Sequence, residues 1–95
     1  MEPITLNEFK FSAANRMEMK TGLLGWIAFT VNGTLRVDGV TLRKTAEGRL
    51  TLSFPAKTSR DGRKRPILWP ISNTAREAIE SLVFSQLHLA TGEDL

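Results

Sequence analysis

The feature that most constrains the fold is an Asn-Gly pair at positions 32 and 33, which follows directly on the β-branched and aromatic residues 26–31. Asn and Gly both tolerate the positive φ angles of a type I′ turn, which joins two antiparallel strands. Residues 26–31 are therefore predicted to form one strand of a hairpin, and residues 34–42 the return strand.

The apolar residues of the return strand change phase partway along it. Leu35 and Val37 share one parity, whereas Val40 and Leu42 share the other. A regular strand would place these two pairs on opposite faces of the sheet. We therefore expect a β-bulge near Gly39, since one extra residue restores a common face.

Three further segments have the composition of strands. Residues 4–11 form the first, residues 49–54 alternate apolar with polar side chains, and residues 67–71 form a short third. Prolines flank and interrupt the last segment and cannot donate a ladder hydrogen bond, so it is predicted to be an edge strand. The polar residues 12–21 are predicted to form a loop.

The C-terminal quarter has helical periodicity. Residues 74–89 are predicted to form a helix, with Thr74 and Glu77 as a capping box and Ser72 and Asn73 as competing caps. Its buried stripe is expected to be Ile79, Leu82 and Val83. Strands followed by one helix predict an α+β fold, an antiparallel β-meander packed on one C-terminal helix, in a single domain over residues 1–95.

Composition narrows the function classes. The chain of 95 residues has no cysteine, which excludes disulfides and thiolate metal sites. The N-terminus lacks the pattern of a secretion signal, and no apolar run is long enough for a membrane helix. We expect a cytoplasmic protein with no membrane association, and no grouping of side chains predicts an enzyme, a metal site, a cofactor or a small-molecule substrate.

Positive charge is concentrated in one part of the chain. Residues 36–65 hold nine basic and three acidic residues, and Asp61-Gly62 marks a second hairpin at the densest part. A protruding basic hairpin can bind phosphates. The predicted nucleic-acid-binding residues are Lys57, Arg60, Arg63, Lys64 and Arg65, with alternate residues such as Arg63 and Arg65 on one face. The alternatives are a hairpin that is merely solvated, or charge that protects an edge strand from aggregation.

Four other residues are candidates for contacts. Arg43 and Lys44 flank the preceding turn and either extend the basic patch or lie on a different face. Trp69 lies beside a proline on the predicted edge strand and is a candidate for base stacking, for core packing or for a dimer interface. Phe84 lies off the predicted helix stripe and is a second candidate for a dimer interface.

Several Pro, Gly and apolar positions also form a recognisable string. It comprises Ala28-Phe29-Thr30-Val31, Leu35-Arg36-Val37, Gly39, Gly48-Arg49-Leu50, Phe54-Pro55-Ala56-Lys57, Asp61-Gly62, Pro70-Ile71 and Arg76. This string resembles the SpoVG septation-regulator family over about two-thirds of the chain. The resemblance implies a small homodimer built by strand association, a regulator linked to septation and sporulation that binds DNA and RNA without being an enzyme. Trp69 replaces the family's His, and Thr58 its Arg.

Two functions follow from these observations. The first is a homodimeric regulator that binds DNA or RNA through the basic hairpin with little sequence preference. The second is a protein-interaction module that recruits a partner through its edge strand and Phe84. The sequence does not decide whether DNA or RNA is preferred, which target sequence is bound, or which pathway is regulated. It also does not decide whether a dimer forms by strand pairing or by helix packing.

Overall fold

The computed structural model describes residues 4–91, with side chains described as far as residue 87. Its elements, in chain order, are β1 (Leu6–Ala13), α1 (Arg16–Met19), β2 (Leu23–Val31), β3 (Leu35–Lys44), β4 (Leu50–Ser53), β5 (Ala56–Thr58), β6 (Lys64–Pro66) and α2 (Asn73–Thr91). The first four strands form one antiparallel sheet in the order β1-β2-β3-β4, and β5 pairs with β6 in a second, two-stranded sheet. The predicted α+β meander with one C-terminal helix is confirmed.

The β2–β3 hairpin turns as the Asn-Gly pair predicts. Asn32 and Gly33 have φ angles of 50° and 63°, and the Thr34 amide donates to the Val31 carbonyl at 2.9 Å. The turn is also tied to the start of β1, because the Asn32 side chain accepts a hydrogen bond from the Thr5 amide at 2.8 Å. Both φ angles are positive, as a type I′ turn requires.

The predicted bulge in β3 is also confirmed. The β2–β3 register shifts between Ile27 and Phe29, which pair with Val40 and Val37, and Gly39 has a φ of 78°. The extra residue brings the two valines to the same face, where both are buried. The change in apolar parity between Val37 and Val40 therefore corresponds to a β-bulge in the sheet.

One face of the four-strand sheet packs on α2, and there the core lies. Its buried members are Ile27, Phe29, Val37, Val40, Leu42, Leu52, Val83 and Leu87. The helix stripe is rotated from the predicted one, because Val83 is fully buried and Leu82 is 38% exposed. Placing Leu82 in the buried stripe was wrong, since Ile79, Val83 and Leu87 follow one another at four-residue steps and form the contact face.

Two local predictions fail near the ends of α2 and β1. The first turn of α2 is capped by Ser72, whose hydroxyl accepts a hydrogen bond from the Ala75 amide at 3.1 Å, so the competing Ser72 cap is confirmed and the Thr74 capping box is wrong. The segment predicted as loop from 12 to 21 contains the last strand residues of β1 and then α1. Asn15 caps α1 by accepting from the Glu18 amide at 2.8 Å, while the Glu18 carboxylate accepts from the Asn15 amide at 3.0 Å.

Candidate nucleic-acid interface

The basic hairpin β5–β6 is a small sheet of its own, separate from the four-strand sheet. Its register pairs Ala56 with Pro66, Lys57 with Arg65, and Thr58 with Lys64. At its base, the Ile67 amide donates to the Pro55 carbonyl at 3.0 Å. The hairpin at Asp61-Gly62 is thus confirmed, although it is closed by a five-residue loop and not by a two-residue turn.

The loop 59–63 is organised around the Asp61 carboxylate. That carboxylate accepts hydrogen bonds from the Ser59 hydroxyl and from the Arg63 amide, and these two bonds hold the pKa of Asp61 below its ordinary value. The Ser59 amide donates to the Arg63 carbonyl at 2.8 Å, and Gly62 has a φ of 81°. Asp61 therefore stays ionised and shapes the tip of the hairpin.

Asp61 also partly compensates the positive charge of Arg63. The Arg63 Nε lies 3.6 Å from the Asp61 Oδ2, and both side chains are exposed. Because Arg63 belongs to the loop and not to β6, strand alternation does not apply to it. That Arg63 and Arg65 share a face therefore stays a prediction; within the two strands, the partner of Arg65 is Lys57.

Lys57 and Arg65 stand directly opposite each other on antiparallel strands. Cross-strand partners lie on the same face of a sheet with their Cβ atoms about 5 Å apart, and like charges in this position destabilise the pair. Both residues are exposed, and neither forms an ion pair within residues 4–87. The hairpin thus presents two uncompensated cations side by side.

The remaining hairpin cations are placed around this pair. Lys64 lies opposite Thr58, so it points to the other face of the ribbon from Arg65. Arg60 lies in the loop and is exposed. All five predicted hairpin cations are therefore brought together on one projecting ribbon.

Arg43 and Lys44 do not extend this patch. They end β3 beside the turn to β4, whereas the hairpin follows the opposite end of β4. Arg43 pairs with Thr51 and Lys44 with Leu50, so the two side chains point to opposite faces of the sheet. Lys44 lines a shallow depression together with Met19, Lys20 and Gly22.

The segment that joins β6 to α2 is not a strand, so the predicted edge strand over residues 67–71 was wrong. Two prolines in six residues prevent a ladder, and the chain passes through bends instead. Its large apolar side chains are nevertheless exposed: Ile67 by 63%, Leu68 by 38%, Trp69 by 57% and Ile71 by 90%. We call residues 67–71 the apolar segment.

The two predicted dimer residues differ in their surroundings. Trp69 belongs to the apolar segment and is open to solvent. Phe84 is half-buried and packs against the core of its own chain, so the prediction that it lies off the helix stripe was wrong. Trp69 is therefore the better placed of the two to contact another molecule.

Arg76 has a role that the sequence patterns did not indicate. Its guanidinium donates to the Leu52 carbonyl at 3.1 Å and lies 5.6 Å from the centroid of the Phe54 ring. Glu80, 3.5 Å from Arg76, accepts a hydrogen bond from the Leu52 amide at 3.4 Å. This pair on α2 therefore satisfies the amide and the carbonyl of Leu52 at the outer edge of β4 and disfavours strand addition there. The i, i+4 spacing of Arg76 and Glu80 on the predicted helix was the sequence feature that could have indicated this ion pair.

Other kinds of site find no support among the described residues. No three His, Cys, Asp or Glu side chains of this part of the chain gather where they could hold a metal ion. In the same part, no helix is long and apolar enough to cross a membrane.

Comparison with models of known protein families gives no match to this chain, and comparison with curated proteins gives none either. The resemblance to the SpoVG family therefore rests on the residues of the string itself.

Proposed function

We propose that this protein is a homodimeric, non-enzymatic regulator of the cytoplasm that binds nucleic acid through the β5–β6 hairpin. The observation that carries the proposal is the opposed pair Lys57 and Arg65, two cations on one face that form no ion pair with any carboxylate of residues 4–87. Bringing like charges together opposes folding of the hairpin, and an anionic ligand bound between them relieves that repulsion. Nucleic-acid phosphates supply such an anion at regular spacing.

The binding mode follows from the side chains. All five hairpin cations are exposed, and a guanidinium or ammonium group contacts phosphate oxygens and not base edges in a backbone-tracking mode. We therefore expect weak sequence preference and a steep dependence on salt. Arg43 and Lys44, at the far end of β4, would contact only a ligand that runs along the sheet.

A dimer would double this basic surface. The support for it is the apolar segment, because four large exposed apolar side chains within five residues are typical of an interaction surface. Trp69 is the proposed centre of the dimer contact, with Phe84 at most at its margin. Strand pairing at β4 is disfavoured by Arg76 and Glu80, so the contact is proposed to be made by side chains.

The test compares two variants that each remove two exposed positive charges. Lys57→Gln/Arg65→Gln alters the hairpin, and Arg16→Gln/Lys20→Gln alters α1 and its end. Fluorescence anisotropy with DNA and RNA, single- and double-stranded, at one salt concentration should give at least a tenfold loss of affinity for the hairpin variant on every ligand. The α1 variant should stay within about twofold of the parent. Equal binding by both variants would refute the hairpin's role.

The second candidate function is recruitment of another protein by the apolar segment, which the exposure of Ile67, Trp69 and Ile71 favours. Such a contact would be nearly independent of salt, whereas phosphate binding weakens steeply as salt rises. Trp69→Ser/Ile71→Ser would abolish the protein contact and leave the hairpin cations in place.

A further inference from the structure

The four-strand sheet has a second face, which α2 does not cover. Ile27 and Phe29 of β2 belong to the core against α2. Successive side chains of a strand point to opposite faces, so Trp26, which directly precedes Ile27, lies on the other face of the sheet. Trp26 is half-buried there. We call this side of the sheet the open face.

The neighbours of Trp26 across the open face are small and polar. The register places Ser12 of β1 on one side of it, Thr41 of β3 on the other, and Ser53 of β4 beyond Thr41. Hydroxyl side chains are short, so no bulky cross-strand partner stands over the indole from either side. They also offer hydrogen-bond donors and acceptors beside an aromatic ring.

Two cations flank Trp26 diagonally. Lys10 lies two residues from Ser12 in one direction along the strands, and Arg43 lies two residues from Thr41 in the other. Strand geometry puts their backbones roughly 17 Å apart, with Trp26 between them. Both side chains are exposed, and neither forms an ion pair in the part of the chain with described side chains.

The carboxylates on this side of the sheet are engaged elsewhere. Glu8 accepts a hydrogen bond from the Thr30 hydroxyl near Arg36, whose guanidinium donates to the Glu8 carbonyl at 2.6 Å. The Asp38 carboxylate accepts from the amide of Gly39 at 2.7 Å, within the bulge. The cross-strand neighbours of Trp26 are therefore hydroxyl groups, with positive charge on the diagonals, and the buried Ala28 and Leu23 lie beside it on β2.

We propose that the open face is a second nucleic-acid contact, which selects single strands by stacking a base on Trp26 while Lys10 and Arg43 bind the flanking phosphates. Sheets with aromatic side chains that reach solvent are a general platform for base stacking, and the half-buried Trp26 keeps part of its surface accessible. A duplex keeps its bases stacked on each other, so only a single strand can offer one to Trp26. The inference rests on the proposed function and extends it by naming the strand form that is preferred.

A second copy of this chain is a poor occupant of the same face. Sheet-to-sheet packing would bury Lys10 and Arg43 of both copies without carboxylate partners, and burial of unpaired charge is costly. A polyanion is complementary to the same residues. Charge and aromatic character together therefore select nucleic acid.

The first test measures anisotropy of an oligothymidine of about 12 nucleotides and of a duplex of equal length with the full-length protein. Trp26→Ala should weaken single-strand binding by roughly 5- to 150-fold, the effect of losing one base-aromatic stack, and leave duplex binding within about twofold. Trp26→Phe keeps an aromatic face, so its single-strand affinity should be close to that of the parent protein. This variant replaces Trp26→Ala in the test if the alanine variant does not fold. Lys57→Gln/Arg65→Gln should weaken both ligands.

The second test reads the stack directly. The chain has two tryptophans, so Trp69→Phe leaves Trp26 as the sole indole and Trp26→Phe leaves Trp69. Saturating oligothymidine should quench the emission of Trp26 more than that of Trp69. Quenching of Trp69 alone, equal losses on both ligands for Trp26→Ala, or a change of oligomeric mass in that variant would overturn the inference.

The two proposals fail separately. Full binding by the Lys57→Gln/Arg65→Gln variant, together with weaker single-strand binding by Trp26→Ala, would refute the proposed role of the hairpin and support that of the open face. Duplex and single-strand binding that depend on the hairpin but not on Trp26 would do the reverse. No binding of either ligand by the parent protein would reject both.

Discussion

Truncation of Val83 should destabilise the fold more than truncation of its larger neighbour Leu82. Val83 is fully buried against the sheet, whereas Leu82 is 38% exposed. Val83→Ala removes two methyl groups, worth about 1.6 kcal/mol of burial at about 0.8 kcal/mol each, and leaves a void that adds about 1 kcal/mol. The expected loss is about 2–3 kcal/mol, a large part of the stability of a domain of this size.

Leu82→Ala removes three carbons, but water already reaches the side chain and fills the space that the change leaves. The expected loss is about 1 kcal/mol. Urea unfolding followed by circular dichroism measures both values, and the midpoint of thermal unfolding should fall by roughly 10–20 °C for Val83→Ala. Ser81→Ala, on the exposed side of the helix, is the control and should change little. A larger cost for Leu82→Ala than for Val83→Ala would show that α2 packs by a different face.

Three further predictions concern β4, the hairpin tip and the apolar segment. Arg76→Ala should cost about 1–2 kcal/mol in urea unfolding, because the Leu52 carbonyl and the Phe54 ring lose a charged partner at a half-exposed site. Ser59→Ala should return the pKa of Asp61 toward its ordinary value in a carboxyl NMR titration. The pKa of Asp61 is lower in the folded hairpin than in the unfolded chain. Asp61 therefore contributes its full share of stability at pH values above its pKa in the unfolded chain, and that share is lost as the pH falls through its pKa in the folded hairpin. Trp69→Ser/Ile71→Ser should reduce the sedimentation-equilibrium mass from two chains to one; a parent protein of one-chain mass contradicts the dimer.

The fold was largely predictable because its turns are encoded locally. Asn32-Gly33 and the phase change around Gly39 each require a particular backbone conformation, and both predictions are confirmed. The bulge in β1 was not predicted, because its positive φ of 52° falls on Glu8, a residue type that does not indicate it. That bulge shifts the inward face from Leu6 to Phe9, whose ring lies 5.8 Å from that of Phe29.

The errors arise where local preference is ambiguous without a partner. Residues 67–71 have β-branched and aromatic side chains, but a strand needs a neighbour, and the prolines prevent one. Leu82 and Val83 both fit a helical stripe, and only the position of the sheet decides between them. The basic hairpin was visible in the sequence, whereas the opposition of Lys57 to Arg65 depends on the length of the loop between them.

The salt dependence of duplex binding tests most directly whether the hairpin binds phosphates. The slope of log affinity against log salt should flatten by about 1.8 for each engaged hairpin in Lys57→Gln/Arg65→Gln, because each lost phosphate contact accounts for about 0.9. A dimer that engages both hairpins should lose about twice that amount. The matched variant Arg16→Gln/Lys20→Gln removes the same charge elsewhere and should keep the parent slope. An unchanged slope in the hairpin variant, or an equal change in both variants, would contradict the account.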